Sequence, residues 1–227
     1  AVIEAARTVM GAIDLDPAWT PDGEWILFSS DWSGSLDLWS LSTRGGALRR
    51  VTDDPADDWD PSFSADGKRI LWSSKRSGHF EVWTAALDGS DARRLTDDGV
   101  DAENPASTPD GKSIVYGSFN PKSQGIWKAS VDGTGPALLI PGSLHQIPEV
   151  SPDGRYVLCR HGLLHGPRSV RVFSLATGAL ALVAGAHSAQ AQSVIIYGAL
   201  GNFDIANDTG ETCHGFEIEL DGVAPSQ

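Results

Sequence analysis

The chain has few cysteines, comparatively few basic residues and no long apolar segment. Two cysteines, Cys159 and Cys213, are too few for a disulfide framework. The 17 lysines and arginines are outnumbered by 30 aspartates and glutamates, which gives a formal net charge of −13. A chain this acidic lacks the basic surface that nucleic acid or an anionic membrane requires. No apolar run reaches the length that spans a bilayer, so we expect no membrane insertion.

Sequence motifs for common reactions and cofactors are also missing. The chain has no Gly-x-Ser-x-Gly nucleophile elbow, no Walker loop, no dinucleotide fingerprint and no EF-hand loop. His161 and His165 are four residues apart, but they lie in a segment bounded by glycine and proline, whereas the zinc motif with this spacing needs a helix. We therefore expect no catalytic residues, no metal site and no cofactor in this chain.

A turn motif that begins with proline recurs four times at nearly constant spacing. The motif starts at Pro17, Pro61, Pro105 and Pro148, and each copy runs to an Asp-Gly pair. Asp-Gly suits a tight hairpin turn, because glycine adopts positive φ without steric cost. The spacing of about 44 residues, in a chain rich in short apolar runs, predicts an all-β propeller of four-stranded antiparallel blades.

The rest of each repeat keeps the same phase. A short apolar strand follows each turn, and a second strand carries an aromatic residue at Trp39, Trp83, Trp127 and Phe173. A second turn follows, and a closing strand holds one apolar residue per repeat: Val51, Leu95, Leu139 and Val183. Such a meander has two apolar faces and must stack against copies of itself. We therefore expect the three in-phase tryptophans to occupy equivalent buried sites.

These residues resemble the repeat of TolB-type, WD40-like propellers. That repeat combines a Pro-x-x-Ser-Pro-Asp-Gly turn, a strand, an Ile-Trp-like pair, an Asp-Gly turn and a closing Arg-x-Leu-Thr strand. The second repeat matches almost throughout and ends at residues 93–96, whereas the fourth loses the tryptophan and the second Asp-Gly. The resemblance covers roughly residues 13–185. It implies a non-catalytic binding module of the bacterial envelope, either periplasmic or extracellular.

The repeat also predicts the organisation of the chain. Residues 1–12 are expected to form the closing strand of a preceding or last blade, residues 186–192 a linker, and residues 193–227 the start of a second β module. The four blades are predicted at residues 13–54, 55–98, 99–142 and 143–185. Two arrangements remain open: a fragment of a larger ring, and a self-contained ring of four blades.

The loops between successive blades are the candidate site, because they emerge together near the mouth of the central channel in a propeller. The first contributes Asp53, Asp54, Asp57, Asp58 and Trp59, and the second contributes Asp97, Asp98, Asp101 and Glu103. Clustered carboxylates attract a basic peptide or a hard cation, and a loop tryptophan can anchor a partner. The alternative is that these are solvated turn residues, since aspartate favours turns.

Two classes of function are compatible with this sequence. The first is a non-catalytic module that presents the acidic loop face to a protein or peptide, with a basic peptide among the candidates. The second is the propeller portion of a serine peptidase of the prolyl-oligopeptidase type, or of a carbohydrate-active enzyme, with the catalytic part outside this chain.

Overall fold

The described part of the protein consists of β-strands and their connections. The computed structural model describes residues 13–143, 145–162 and 168–180. Within these ranges the strands form four antiparallel sheets, and the order of strands in each sheet follows the chain. The same ranges contain no helix long and apolar enough to cross a membrane. Each sheet is one blade of a propeller, so the predicted fold class is confirmed.

The blades have the strand boundaries that follow. Blade one comprises β1 (Asp14–Trp19), β2 (Trp25–Ser30), β3 (Asp37–Ser42) and β4 (Leu48–Arg50). Blade two comprises β5 (Asp58–Phe63), β6 (Arg69–Ser74), β7 (Glu81–Ala86) and β8 (Arg93–Arg94). Blade three comprises β9 (Ala102–Ser107), β10 (Ser113–Ser118), β11 (Gly125–Ser130) and β12 (Ala137–Pro141). Blade four comprises β13 (His145–Val150), β14 (Tyr156–Gly162) and β15 (Arg168–Ser174), and Phe173 also pairs with Leu180.

The first strand of each blade is the inner strand. β1, β5, β9 and β13 contact one another in that order. Each inner strand begins after a blade connection and ends at an Asp-Gly turn. The blade connections (51–57 and 95–101) and the loops between second and third strands (31–36 and 75–80) therefore share one end of the propeller, the connection end. The Asp-Gly turns lie at the opposite end, the turn end.

Each Asp-Gly turn is held by its own side chains. In blade one the Thr20 hydroxyl donates to Asp22, and Asp22 accepts the Glu24 N–H at 2.9 Å. The Trp25 N–H donates to the Thr20 hydroxyl at 3.0 Å, and Gly23 has a φ of 69°. The Thr20 hydrogen bond is the largest of the effects that lower the pKa of Asp22. This local network explains why a hydroxyl residue and Asp-Gly recur in every repeat.

Apolar side chains of neighbouring blades form separate cores between the sheets. Between blades one and two, Leu27 and Leu38 pack against Ile70, Trp72 and Ala85. The next two cores are built from the equivalent positions. The stability of the propeller therefore comes mainly from burial between blades rather than within one sheet.

The in-phase tryptophans occupy equivalent positions, as the repeat predicts, but they are only half-buried. Trp39, Trp83 and Trp127 all fall in this class. The residue before each of them is 0% exposed: Leu38, Val82 and Ile126. Successive residues of a strand face opposite sides of the sheet. Trp83 and Trp127 therefore face the preceding blade, and the residue before each of the three tryptophans faces the following blade.

Glycines in the second turn of a blade pack directly on the preceding blade. A Cβ atom would lie 2.0 Å from the Val51 carbonyl oxygen at Gly89, 2.2 Å from that of Leu95 at Gly133, and 1.9 Å from that of Leu139 at Gly178. No side chain fits at these distances. The second turn thus requires glycine because of its contact with the neighbouring blade as well as its positive φ.

Several predicted segments lie outside the described residues. They are the closing strand within residues 1–12, the last strand of blade four at Val183, the linker at 186–192 and the second β module at 193–227. Their roles stay predictions.

Candidate functional site: the central funnel and the connection end

Each inner strand bends at the residue before its repeat proline. Asp16, Asp60, Asn104 and Ile147 have φ values between 50 and 57°. The pairing register with the neighbouring strand shifts at the same place in all four blades. Asp and Asn enter this left-handed region more readily than other residues that carry a side chain, whereas isoleucine is a steric outlier there. The bulge is therefore a property of the repeat, and it is imposed even where the residue does not favour it.

The inner strands enclose a central funnel of about 310 Å³. Each strand contributes the same four repeat positions to the lining: residues 16–19, 60–63, 104–107 and 147–150. The bulge residues begin these segments, and the Asp-Gly turns follow them. The funnel thus occupies the part of the channel between the bulges and the turn end, with apolar walls and a few polar side chains.

Asp60 is the centre of a hydrogen-bond network in the funnel wall. The Asn104 side-chain amide and the Ser73 hydroxyl both donate to its Oδ2, and its carboxyl is also in hydrogen-bond contact with Asp16. Burial is the main reason that the pKa of Asp60 is raised well above its ordinary value, and the charges of Asp16 and Glu103 raise it further. Two carboxyl groups in contact retain a proton that an isolated one would release.

Two glutamates near the funnel also have raised pKa values. Burial raises the pKa of Glu103 to about 7, where the charge of Asp101 adds to the effect and Lys75 opposes it. Burial alone raises the pKa of Glu149 to about 7, although the side chain remains in contact with the solvent of the funnel. Both glutamates are therefore protonated more readily than an ordinary glutamate.

Asp58, one of the predicted site residues, lies inside the fold. It is fully buried and accepts hydrogen bonds from Arg76 Nη2 at 2.7 Å and from Trp72 Nε1 at 3.0 Å. The Arg76 guanidinium lies over the rings of Trp72 and Trp83, at 5.5 and 4.9 Å from the ring centroids. Burial raises the pKa of Asp58, while its hydrogen bonds and Arg76 oppose that rise. Asp58 therefore positions the loop at 75–80 and is not open to a partner.

Three other predicted residues form ion pairs with arginines, and two of these arginines also bind a buried carboxylate. The ion pairs are Asp53 with Arg50 at 3.4 Å, Asp54 with Arg76 at 3.8 Å, and Asp97 with Arg94 at 3.0 Å. The arginines of two of these pairs belong to the short outer strands β4 and β8. These arginines therefore offset part of the negative charge of the connection end.

Asp57 and Asp101 occupy the same repeat position and play the same structural role. Asp57 Oδ1 accepts the Leu36 N–H at 3.4 Å, and Asp101 Oδ1 accepts the Phe80 N–H at 2.9 Å. Each aspartate thereby joins a connection to the loop of the blade before it. Within the described ranges neither carboxylate has a basic side chain within 4.0 Å. These two carry negative charge that the fold leaves uncompensated.

The remaining predicted residues are half-buried. Burial is the main cause that raises the pKa of Asp98; the Ser118 hydrogen bond and His79 oppose this, whereas Asp97 adds to it. Trp59 stacks on Phe80 with ring centroids 4.5 Å apart and an interplanar angle of 10°. Trp59 therefore packs against the loop at 75–80.

The loop at 75–80 brings the two connections together. The Lys75 N–H donates to the Asp57 carbonyl at 3.0 Å, Arg76 binds Asp54 and Asp58, and Phe80 contacts Trp59 and Asp101. Glu103 differs from the other predicted residues, because it lies beside the bulge, where its charge acts on Asp60.

Sequence reasoning missed the residues of the funnel. Asp16, Asp60, Asn104 and Glu149 were not among the predicted site residues. A signal was present, since three of the four repeat prolines follow an Asp or Asn, the residues that tolerate the bulge conformation. Among the residues that the structure describes, no group of three or more His, Cys, Asp or Glu side chains is placed to hold a metal ion.

Comparison with known proteins identifies relatives of this fold. A family model described as the TolB beta propeller domain matches residues 6–168. A comparison with curated proteins gave no match.

Solved structures with the same arrangement include two of TolB type. TolB from Acinetobacter baumannii is 27% identical with a TM-score of 0.66, and the match covers 74% of this chain and 42% of that one. A TolB-like protein from Agrobacterium tumefaciens is 23% identical with a TM-score of 0.65, over 73% and 62% of the two chains. This chain therefore spans less than two thirds of the length of either structure.

A puromycin-hydrolysing peptidase of Mycobacterium tuberculosis is also similar. It is 18% identical with a TM-score of 0.58, and the match covers 75% of this chain and 31% of the peptidase. At this identity the likeness shows a shared propeller fold.

Proposed function

Because the chain belongs to the TolB beta-propeller domain family, we propose that it is a non-catalytic binding module whose connection end receives a protein or peptide. The observation that carries this proposal is the convergence of both blade connections on the loop at 75–80. Asp57 and Asp101 flank that loop and carry charge without a basic partner in the described ranges. A partner with lysine or arginine side chains would complement them.

The distribution of charge at the connection end indicates how this face would affect the binding of a partner. Four of the aspartates there share three arginines, so the face keeps a net negative charge. Such an arrangement favours orientation and rate of association over affinity. We also propose a location in the periplasm or outside the cell, which rests on the family relationship alone.

The test uses two double variants with equal change of charge. Asp57→Asn with Asp101→Asn removes the two uncompensated charges, and asparagine oxygens can still accept the Leu36 and Phe80 N–H groups. Asp22→Asn with Asp66→Asn removes two charges at the turn end and serves as the control. Asp58 is left unchanged in both variants, because Asp58→Asn would remove the buried charge that Arg76 binds beside Trp72.

The measurement is the association rate of a synthetic peptide rich in lysine and arginine. We expect the connection-end variant to associate about threefold to tenfold more slowly than wild type, and the control to stay within about twofold. The difference should shrink as salt rises from about 50 to about 300 mM, since the Debye length shortens. Equal rates for both variants would refute docking at the connection end.

A further inference from the structure

Blades one and two bury a carboxylate at the same repeat position. Asp37 begins β3 and Glu81 begins β7, and both are 0% exposed. In blade one, Arg50 Nη2 donates to Asp37 Oδ2 at 2.7 Å, and Thr52 also donates to this carboxylate. An arginine stays charged at any pH that a folded protein meets. The buried charge of blade one is therefore compensated permanently.

Blade two compensates its buried carboxylate differently. Glu81 accepts a hydrogen bond from the Thr96 hydroxyl and lies 2.8 Å from His79 Nε2. Arg94, the repeat equivalent of Arg50, is bound to Asp97 instead. Among the residues that the structure describes, His79 is the only basic side chain within ion-pair distance of Glu81. A histidine changes its charge between pH 5 and 8, unlike an arginine.

The other titratable groups around this pair are acidic. Asp98 interacts with His79, and burial is the main cause that raises its pKa. Burial also raises the pKa of Tyr116, and the charges of Asp98 and Glu81 raise it further. The two cations of the loop itself are engaged elsewhere: Lys75 lies over Phe80, and Arg76 binds Asp58. The charge of Glu81 therefore depends on His79 for compensation.

We propose that His79 is a proton-controlled anchor of the loop at 75–80 and thereby regulates the connection end. The regulatory part of this inference rests on the proposed function. When the imidazole is protonated, an ion pair fixes the loop to the start of β7. When it is neutral, Glu81 is a buried charge without a cation, which is costly. The ion pair is present at low pH and lost as the pH rises.

The contacts of the loop carry this change to the docking face. Residues 75–80 hold Asp57 through the Lys75 N–H, Asp101 through the Phe80 N–H, and Trp59 through the stacked Phe80 ring. A looser loop would no longer hold the backbone of Asp57 and the side chains of Asp101 and Trp59 in one arrangement. At each pH the binding of wild type is therefore compared with that of His79→Gln, since other carboxyls of this face also titrate. We expect wild type to bind more tightly than His79→Gln at low pH and equally well at high pH.

Amide hydrogen exchange tests the anchor without any partner. After correction for intrinsic exchange rates, we expect the protection of residues 75–82 in wild type to fall about tenfold between about pH 5.5 and about pH 8. His79→Arg should keep the protection at both pH values, and His79→Gln should lack it at both. The loop at 31–36, which ends beside the permanently compensated Asp37, is the internal control and should not respond. A pH response that is equal in wild type and His79→Gln would overturn the proposal.

Two further comparisons test whether His79 causes the pH response of the loop and whether that response affects peptide binding. Asp98→Asn should keep the wild-type response, and its loss in this variant would assign the response to Asp98 and overturn the role of His79. Association of the lysine- and arginine-rich peptide is then measured at both pH values. If the loop responds but the peptide binds nowhere, the proposed function fails and the anchor stands. If the peptide binds and the loop is indifferent to pH, the anchor fails alone.

Discussion

At the scale of single residues, the neighbouring blade decides which positions tolerate change. Gly23 and Gly89 both have positive φ, at 69° and 84°. Nothing lies within 4 Å of a Cβ atom built on Gly23, whereas a Cβ on Gly89 would meet the Val51 carbonyl oxygen at 2.0 Å. The two glycines look alike in the sequence, because each follows an aspartate in a turn. Only the stacking of blades distinguishes them.

This difference predicts unequal costs for the same substitution. Gly89→Ala should lower the free energy of unfolding by about 3 kcal/mol or more, because backbone of two blades must separate. Gly23→Ala should cost only about 1–2 kcal/mol, the penalty of positive φ for alanine. Urea denaturation of both variants measures the difference. Equal costs would mean that the contact between the turn and the preceding blade is absent in solution.

Glu103 predicts a pH dependence of stability. Its pKa is about 7 in the folded protein, above the ordinary value of 4.5, so the folded state binds the proton more tightly than the unfolded state. The stability that the Glu103 carboxyl contributes to the folded protein is therefore full below about pH 4.5 and is lost as the pH rises to about 7.

The test compares wild type with Glu103→Gln, which cannot titrate. We expect the free energy of unfolding of wild type to fall more steeply between about pH 5 and about pH 8, with a difference on the order of 1 kcal/mol because the side chain is partly exposed. The carboxyl of Glu149 contributes equally to both proteins, because burial alone raises its pKa. The charge of Glu103 raises the pKa of Asp60, so loss of this effect in Glu103→Gln adds to the difference in the same direction. Parallel stability curves for the two proteins would contradict the assignment.

At the scale of the strand and the blade, the sequence was a good guide. The spacing of the prolines and of the in-phase aromatic residues predicted a repeated four-stranded blade, because every repeat must present the same two faces to its neighbours. The sequence signal for the bulge was incomplete, because Asp or Asn precedes three of the repeat prolines and the fourth position holds Ile147, which propensity would exclude. The pairing of Asp60 with Asn104 was equally hidden, because it joins residues 44 positions apart in different blades.

Trp83 shows how much one contact between blades contributes to the stability of the fold. It packs against the core between blades one and two and lies beside Trp72, with ring centroids 6.4 Å apart. Trp83→Ala should lower the free energy of unfolding by about 3 kcal/mol, at the lower end for a large aromatic because the side chain is half-buried. Trp32 is 50% exposed and lies in a loop, so Trp32→Ala is the control and should cost less than about 1 kcal/mol. A larger cost at Trp32 would mean that the blade register is wrong.

At the scale of the whole molecule, acidic groups are divided between the two ends and the channel. The Asp-Gly aspartates at the turn end accept turn hydrogen bonds, as Asp22 does, and those at the connection end mostly bind arginines. Composition predicted an acidic loop face but could not show which charges are compensated. That distinction depends on partners such as Arg76 for Asp58, which only the folded chain brings together.

The most direct test of the account is to find which end of the propeller a partner covers. Hydrogen exchange of the chain, with and without the lysine- and arginine-rich peptide, reports this because the two ends have separate sets of hydrogen-bonded amides. We predict slower exchange in the bound state at the amides of Leu36, Lys75 and Phe80, and no change at the turn glycines Gly23 and Gly67. Protection of the turn end alone would contradict the account and place the binding site at the funnel.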